Sequence, residues 1–152
     1  MIRDEQVAAI VGASALALIL GALGFQYLAH LPPCEMCHWQ RWPHIAAAII
    51  GLAVVPFLRT QARALAWTAV VLVTISGLIG AYQTGLQHGI FPLPPCSVAH
   101  PYVMGSGAPA PEVSCNAVTW SLFGLSLAAY NVIFSFVIAA TGAFFLSRNH
   151  AA

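Results

Sequence analysis

Residues 31–44 read LPPCEMCHWQRWPH, and the point at which a helix begins within them decides the fold. A helix running only from Pro43 to Phe57 has about 15 residues, short of the roughly 20 needed to cross a hydrocarbon core about 30 Å thick. A start near Cys37 restores a full crossing and leaves Pro43 inside the helix, where its ring clashes with the carbonyl four residues earlier and introduces a kink. The sequence therefore predicts a helix from Cys37 to Phe57. Cys37, Arg41 and His44 then stand at i, i+4 and i+7, on one face near its outer end.

The surrounding composition supports a membrane setting. The 152-residue chain is 60% hydrophobic and only 6% charged, where soluble domains average about 25% charged residues. Its five cations are all arginine and its net charge is +1, so it lacks the basic stripe that binding nucleic acid requires. Three further apolar runs flank the second, giving predicted crossings at 7–29, 37–57, 64–86 and 120–146. The first run is too long for the apolar part of a signal peptide, and no small-residue cleavage site follows it, so it reads as a retained helix. The expected architecture is all-α, a single integral membrane domain over residues 1–152 built as a bundle of four transmembrane helices.

Arg3, Arg59, Arg63 and Arg148 fall on one side of these crossings and Arg41 on the other. The positive-inside rule then predicts both termini in the cytoplasm. Cys34, Cys37, Cys96 and Cys115 share the outer face, which in a bacterium is the periplasm, where disulfides persist. Two cysteine-bearing outer loops result. One, from His30 to about Met36, is short and leads directly into the second helix. The other, 87–119, holds Pro92, Pro94, Pro95, Pro101, Pro109 and Pro111, six of the ten prolines, and should be largely irregular. A Cys96–Cys115 disulfide would close a loop of about 20 residues, worth roughly 3 kcal/mol by chain entropy, and could serve as a structural staple.

The short loop admits several chemistries. C-x-x-C marks a redox dithiol, whereas Cys34-x-x-Cys37-His38 is also the attachment signature of c-type haem. Thiol reactivity rises with a C-x-x-C context, a helix N-terminus and a nearby cation. Cys37 combines all three, with Arg41 one turn away, and a charge at a membrane margin is usually partnered or functional. A haem would use His38 and a distal ligand such as His100 or Met104, but gives Cys96, Cys115 and Arg41 no role. A zinc site would more commonly draw on two closely spaced cysteine pairs, so no metal site is expected. A non-catalytic membrane subunit with two structural disulfides is the remaining alternative.

PCEMCHWQRWPH (33–44) together with WSLFGLSLAAYN (120–131) resembles the disulfide bond formation protein B (DsbB) family, in its proteobacterial branch. The resemblance covers nearly the whole chain. In the vitamin K epoxide reductase-like family, which has similar chemistry, the loop cysteines precede the C-x-x-C; here they follow it. The DsbB resemblance implies an inner-membrane protein-dithiol:quinone oxidoreductase. In it a periplasmic DsbA-type partner of thioredoxin fold attacks the Cys96–Cys115 disulfide at Cys96, Cys115 passes to Cys34, and Cys37 delivers electrons to ubiquinone or menaquinone. Arg41 would stabilise the thiolate and the reduced quinone, with His44 and Gln83 as further quinone-binding candidates. Relatives often carry a histidine near the outer end of the third helix, where AYQTGLQHGIF (81–91) has Gln83; His44 or His88 could substitute.

Among the remaining residues, Trp39, Trp42 and Trp120 are expected as interfacial anchors. Gly21, Gly24, Gly77 and Gly80 are expected at close helix contacts, and Asn131 in an interhelical hydrogen bond.

Overall fold

A computed structural model describes residues 2–92 and 114–149. Helix α1 spans Asp4–Tyr27, α2 spans Glu35–Ile49 and passes into a π turn at Ile50–Val54, and α3 spans Ala62–Gln87 after a 3-10 turn at Arg59–Gln61. Two short strands, β1 (Ser121–Leu122) and β2 (Leu125–Ser126), precede α4 (Leu127–Arg148).

The helices pack with their smallest side chains inward. Ala8, Ala15, Ala47, Ala66 and Ala69 are fully buried, whereas Leu20, Trp42, Leu78 and Phe144 are exposed. That is the reverse of a soluble bundle and suits helices whose outer faces meet lipid, where association relies on close packing. Gly51, in the π turn, abuts α1: a Cβ there would collide with the Ala8 carbonyl. Gly77 and Gly80 meet α4 as expected, with a Cβ falling 3.0 Å from Ser135 Cβ and 3.1 Å from Asn131 Nδ2 respectively. Gly21 and Gly24 depart from expectation, because neither faces another helix within 4 Å. Gly21 borders a cavity instead.

The start of α2 reflects local chemistry. Cys34 is its N-cap, its sulfur accepting the Cys37 backbone N–H at 3.1 Å, and Pro43 lies inside the helix. The regular α-helix runs only 15 residues before the π turn, so three helical segments, Asp4–Tyr27, Arg59–Gln87 and Leu127–Arg148, are by themselves long and apolar enough to cross a membrane. The fourth apolar run also differs from its expected start at Trp120. Phe123 and Gly124 have φ of 51° and 78° and form the two-residue turn of an antiparallel hairpin pairing Ser121 with Ser126, the geometry such turns require. Ser126 then caps α4, accepting the Ala129 N–H at 3.3 Å.

Asp4 and Glu5 open α1 and face Arg63 and Arg59 at 4.0 and 3.7 Å. Asn149, just after α4, donates to the Ile2 carbonyl and to Asp4, each at 2.7 Å. This ties both ends of the described chain to the α2–α3 connection. Cys34, Cys37 and Cys115 lie at the opposite end of the bundle, where the close of α1 meets the start of α2.

Candidate functional site

Cys34, at the N-cap, is 4% exposed, and Cys37 stands in the first turn of α2. The Gln83 side-chain amide of α3 reaches both, with Nε2 3.0 Å from the Cys34 sulfur and 3.7 Å from that of Cys37. The Cys34 thiol is pushed well above the usual range, first by its hydrogen bond with Cys37 and then by burial and the Cys37 charge; Cys115 adds to this from nearby. Cys115 is fully buried. Cys96, His100 and Met104 lie outside the described residues.

Beside this pair opens a cavity of about 400 Å³, between α1, the 31–33 segment, α2 and the start of α4. Its wall is mostly apolar, with Leu18, Ala22, Phe25 and Phe134 among its residues, and it carries Cys37, Arg41, His44 and Gln83 together. The spacing read from the sequence thus does place Cys37, Arg41 and His44 on one surface. Such a shape, apolar with a few convergent polar groups, is that of a small-molecule site. Arg41 donates to the Gln26 side chain of α1 at 2.6 Å. His88 is exposed and bonds with the Thr84 carbonyl at 2.8 Å, and it is not part of the wall.

A buried polar network runs along this same wall, which Gln40 and Asn131 also line. Gln40 Nε2 donates to Gln83 Oε1, and Asn131 Nδ2 donates to Gln40 Oε1 at 2.8 Å and to the Ser76 carbonyl at 3.2 Å. His44 Nε2 lies 3.0 Å from Asn131 Oδ1. Asn131 accordingly links α4 to both α2 and α3, as expected of it. Gln26 and Gln40 were not singled out from the sequence, although polar side chains inside apolar runs are a signal in themselves.

Trp39 and Trp42 are 60% and 69% exposed, in keeping with interfacial anchors. Trp120 instead lines the cavity, its ring 4.9 Å from Phe25 and 6.2 Å from Tyr130. Among the described residues, no group of three or more His, Cys, Asp or Glu is gathered as a metal site. His38 is exposed while Cys34 is buried against Gln83, an arrangement better suited to a dithiol than to haem attachment.

Comparison with known proteins identifies the group to which this arrangement belongs. The chain is 29% identical to disulfide bond formation protein B of Dechloromonas aromatica, over 94% of this chain and 93% of that protein. The protein of the same name from Aeromonas salmonicida is 29% identical over 82% of each chain, and that from Polaromonas 28% over 95% of this chain and 91% of its own. No solved structure matches. The model of the family described as disulfide bond formation protein DsbB matches residues 4–145, and the chain, a membrane protein with an oxidoreductase's paired cysteines, belongs to the DsbB family.

Proposed function

We propose that this protein reoxidises a periplasmic DsbA-type dithiol protein and passes the electrons to a membrane quinone. The observation that carries this reading is the shared wall: Cys37, Arg41, His44 and Gln83 border one apolar cavity, with Cys34 and Cys115 adjoining. DsbA-type oxidases are strongly oxidising, so their reoxidation needs a stronger acceptor. A quinone bound in the cavity supplies one, taking two electrons and two protons.

The chain's own residues do the rest. A partner thiolate attacks the Cys96 sulfur of a Cys96–Cys115 disulfide, forming a mixed disulfide and releasing the Cys115 thiolate. Cys115 attacks Cys34 of a Cys34–Cys37 disulfide, expelling Cys37 as thiolate. The partner's second thiolate closes its own disulfide and releases Cys96, which recaptures Cys115 and leaves Cys34 and Cys37 as a dithiol. Re-forming that disulfide yields two electrons and two protons to the quinone. Arg41 holds negative charge beside Cys37 and the cavity, while His44 and Gln83 orient the ring.

In this reading all four apolar runs cross the inner membrane, with both termini cytoplasmic and the two cysteine loops periplasmic. Glu35 to Val54 forms 20 continuous helical residues when α2 and its π turn are joined, a rise of about 30 Å. The test is an anaerobic ultraviolet-visible titration of the full chain with quinone and a reduced thioredoxin-fold dithiol protein. Quinone reduction should require Cys37 and vanish in Cys37→Ala. Cys96→Ala should lose reaction with the partner yet still bind quinone. A haem band without dithiol-driven reduction would overturn the proposal, and disulfides that resist mild reduction would instead identify structural staples.

A further inference from the structure

The polar network along the cavity wall has a direction, and one backbone group sets it. A carbonyl oxygen can only accept, so Asn131 must turn its nitrogen toward the Ser76 carbonyl 3.2 Å away. The same nitrogen donates to Gln40 Oε1 at 2.8 Å, which leaves Gln40 Nε2 to donate to Gln83 Oε1. Gln83 must then present its N–H, not its oxygen, to the sulfurs of Cys34 and Cys37, at 3.0 and 3.7 Å. At the other end Asn131 Oδ1 can only accept, taking the Ser135 hydroxyl at 3.2 Å, so His44 Nε2, 3.0 Å away, presents its proton to it. Ser76 also donates its hydroxyl to the Gln40 carbonyl at 2.8 Å, clamping α2 against α3 at the same level.

We propose that Gln40 and Asn131 are positioning residues for the cysteine pair. Through a donor chain anchored on the Ser76 carbonyl, they hold the Gln83 N–H on the sulfurs, where it stabilises the thiolate form. Gln40, Gln83 and Ser76 are nearly or fully buried, at 7%, 3% and 0% exposure, so bulk water has little access to these bonds. A Gln83 side chain turned the other way would set its amide oxygen against sulfur and repel the thiolate. Neither Gln40 nor Asn131 is hydrogen-bonded to the Cys34 or Cys37 sulfur; each acts on that pair through the next residue.

The inference rests on Cys34 and Cys37 being the redox pair, and its test separates the two claims. In the reduced full-length protein, in detergent at fixed pH, the alkylation rate of Cys37 by iodoacetamide should exceed that of an ordinary free thiol. Gln83→Met, which keeps length but removes the N–H, should lower that rate by about tenfold, the scale of a hydrogen bond to a charged group. Gln40→Leu and Asn131→Leu should each lower it by roughly threefold to tenfold. The reduction potential of the pair should fall with the rate, by about 30 mV per tenfold change, because the reduced form loses its stabilisation.

A second measurement needs no substitution. The side-chain amide resonances of Gln83, Gln40 and Asn131 should all move when the unaltered pair is oxidised to a disulfide. A reactive Cys37 whose rate and potential are unchanged by Gln40→Leu and Asn131→Leu overturns the positioning role alone, as does a Gln40 amide that stays put on oxidation. An unreactive Cys37 in the unaltered protein overturns both claims.

Discussion

Arg41 is the one cation at the cysteine end among the described residues, and its partner is neutral. Its guanidinium donates to the Gln26 side chain at 2.6 Å, which orients it toward the cavity without cancelling its charge. A full positive charge thus remains beside Cys37 in an apolar setting, where Coulomb interactions are weakly screened. Arg41→Ala should therefore raise the quinone KM by about tenfold while shifting the melting temperature little. Steady-state kinetics over a quinone series, alongside thermal unfolding in detergent, would check this, and unchanged quinone kinetics would remove Arg41 from the site. Gln83 shows what a sequence can withhold at this scale. Its place in the pattern suggests a quinone contact, and it does line the cavity, but no pattern announces that its side chain also reaches the two sulfurs and Gln40.

Contact between elements depends on side chains small enough to let backbones approach. Gly51 sits where the π turn of the second helix meets α1, and an added methyl would press on the Ala8 carbonyl, a backbone atom that cannot swing aside. Gly51→Ala should cost about 1 to 3 kcal/mol, the usual range for overpacking, read as a lower unfolding temperature in detergent. Gly21→Ala, on a glycine with open space around it, should cost less than about 1 kcal/mol, the intrinsic gain in helix propensity opposing any loss. Equal effects of the two would refute this account of the α1 contact. Both glycines occur in apolar helical runs and look alike in sequence. Which one touches a neighbour depends on how α1 is rotated in the bundle, and α1 is apolar on nearly every side, so periodicity does not set that rotation.

At the scale of the whole molecule, charge is sorted between the ends. Asp4, Glu5, Arg59, Arg63 and Asn149 form one polar cluster, and Cys34, Cys37 and Cys115 occupy the other end. Exposed ion pairs of this kind contribute little stability, so the cluster bears instead on the proposed orientation, in which the arginine excess would hold that end in the cytoplasm. A fluorescent protein fused to either terminus should fluoresce, and an alkaline phosphatase fused at either should be inactive. Reversal of Arg59 and Arg63 to glutamate should lower the fraction of correctly inserted chains, scored by the same reporters. Active phosphatase on the unaltered chain would place the cysteines in the cytoplasm and exclude a periplasmic partner.

Membrane residence, the cysteine spacing and the grouping of Cys37, Arg41 and His44 on one face were all legible in the amino-acid sequence, because hydropathy, loop charge and helical period are properties of short stretches. The hairpin at Ser121–Ser126 was hidden because its turn puts Phe123, an apolar residue, at positive φ within an otherwise apolar run. Only the tertiary structure decided which polar side chains meet. Gln26 finds Arg41 across α1 and α2, and Gln40, Gln83 and Asn131 converge from three helices. Their hydrogen-bonding sense follows from the Ser76 carbonyl brought alongside by packing. An amide side chain donates and accepts equally well, so its role is undetermined until the fold supplies a neighbour that can do only one of the two.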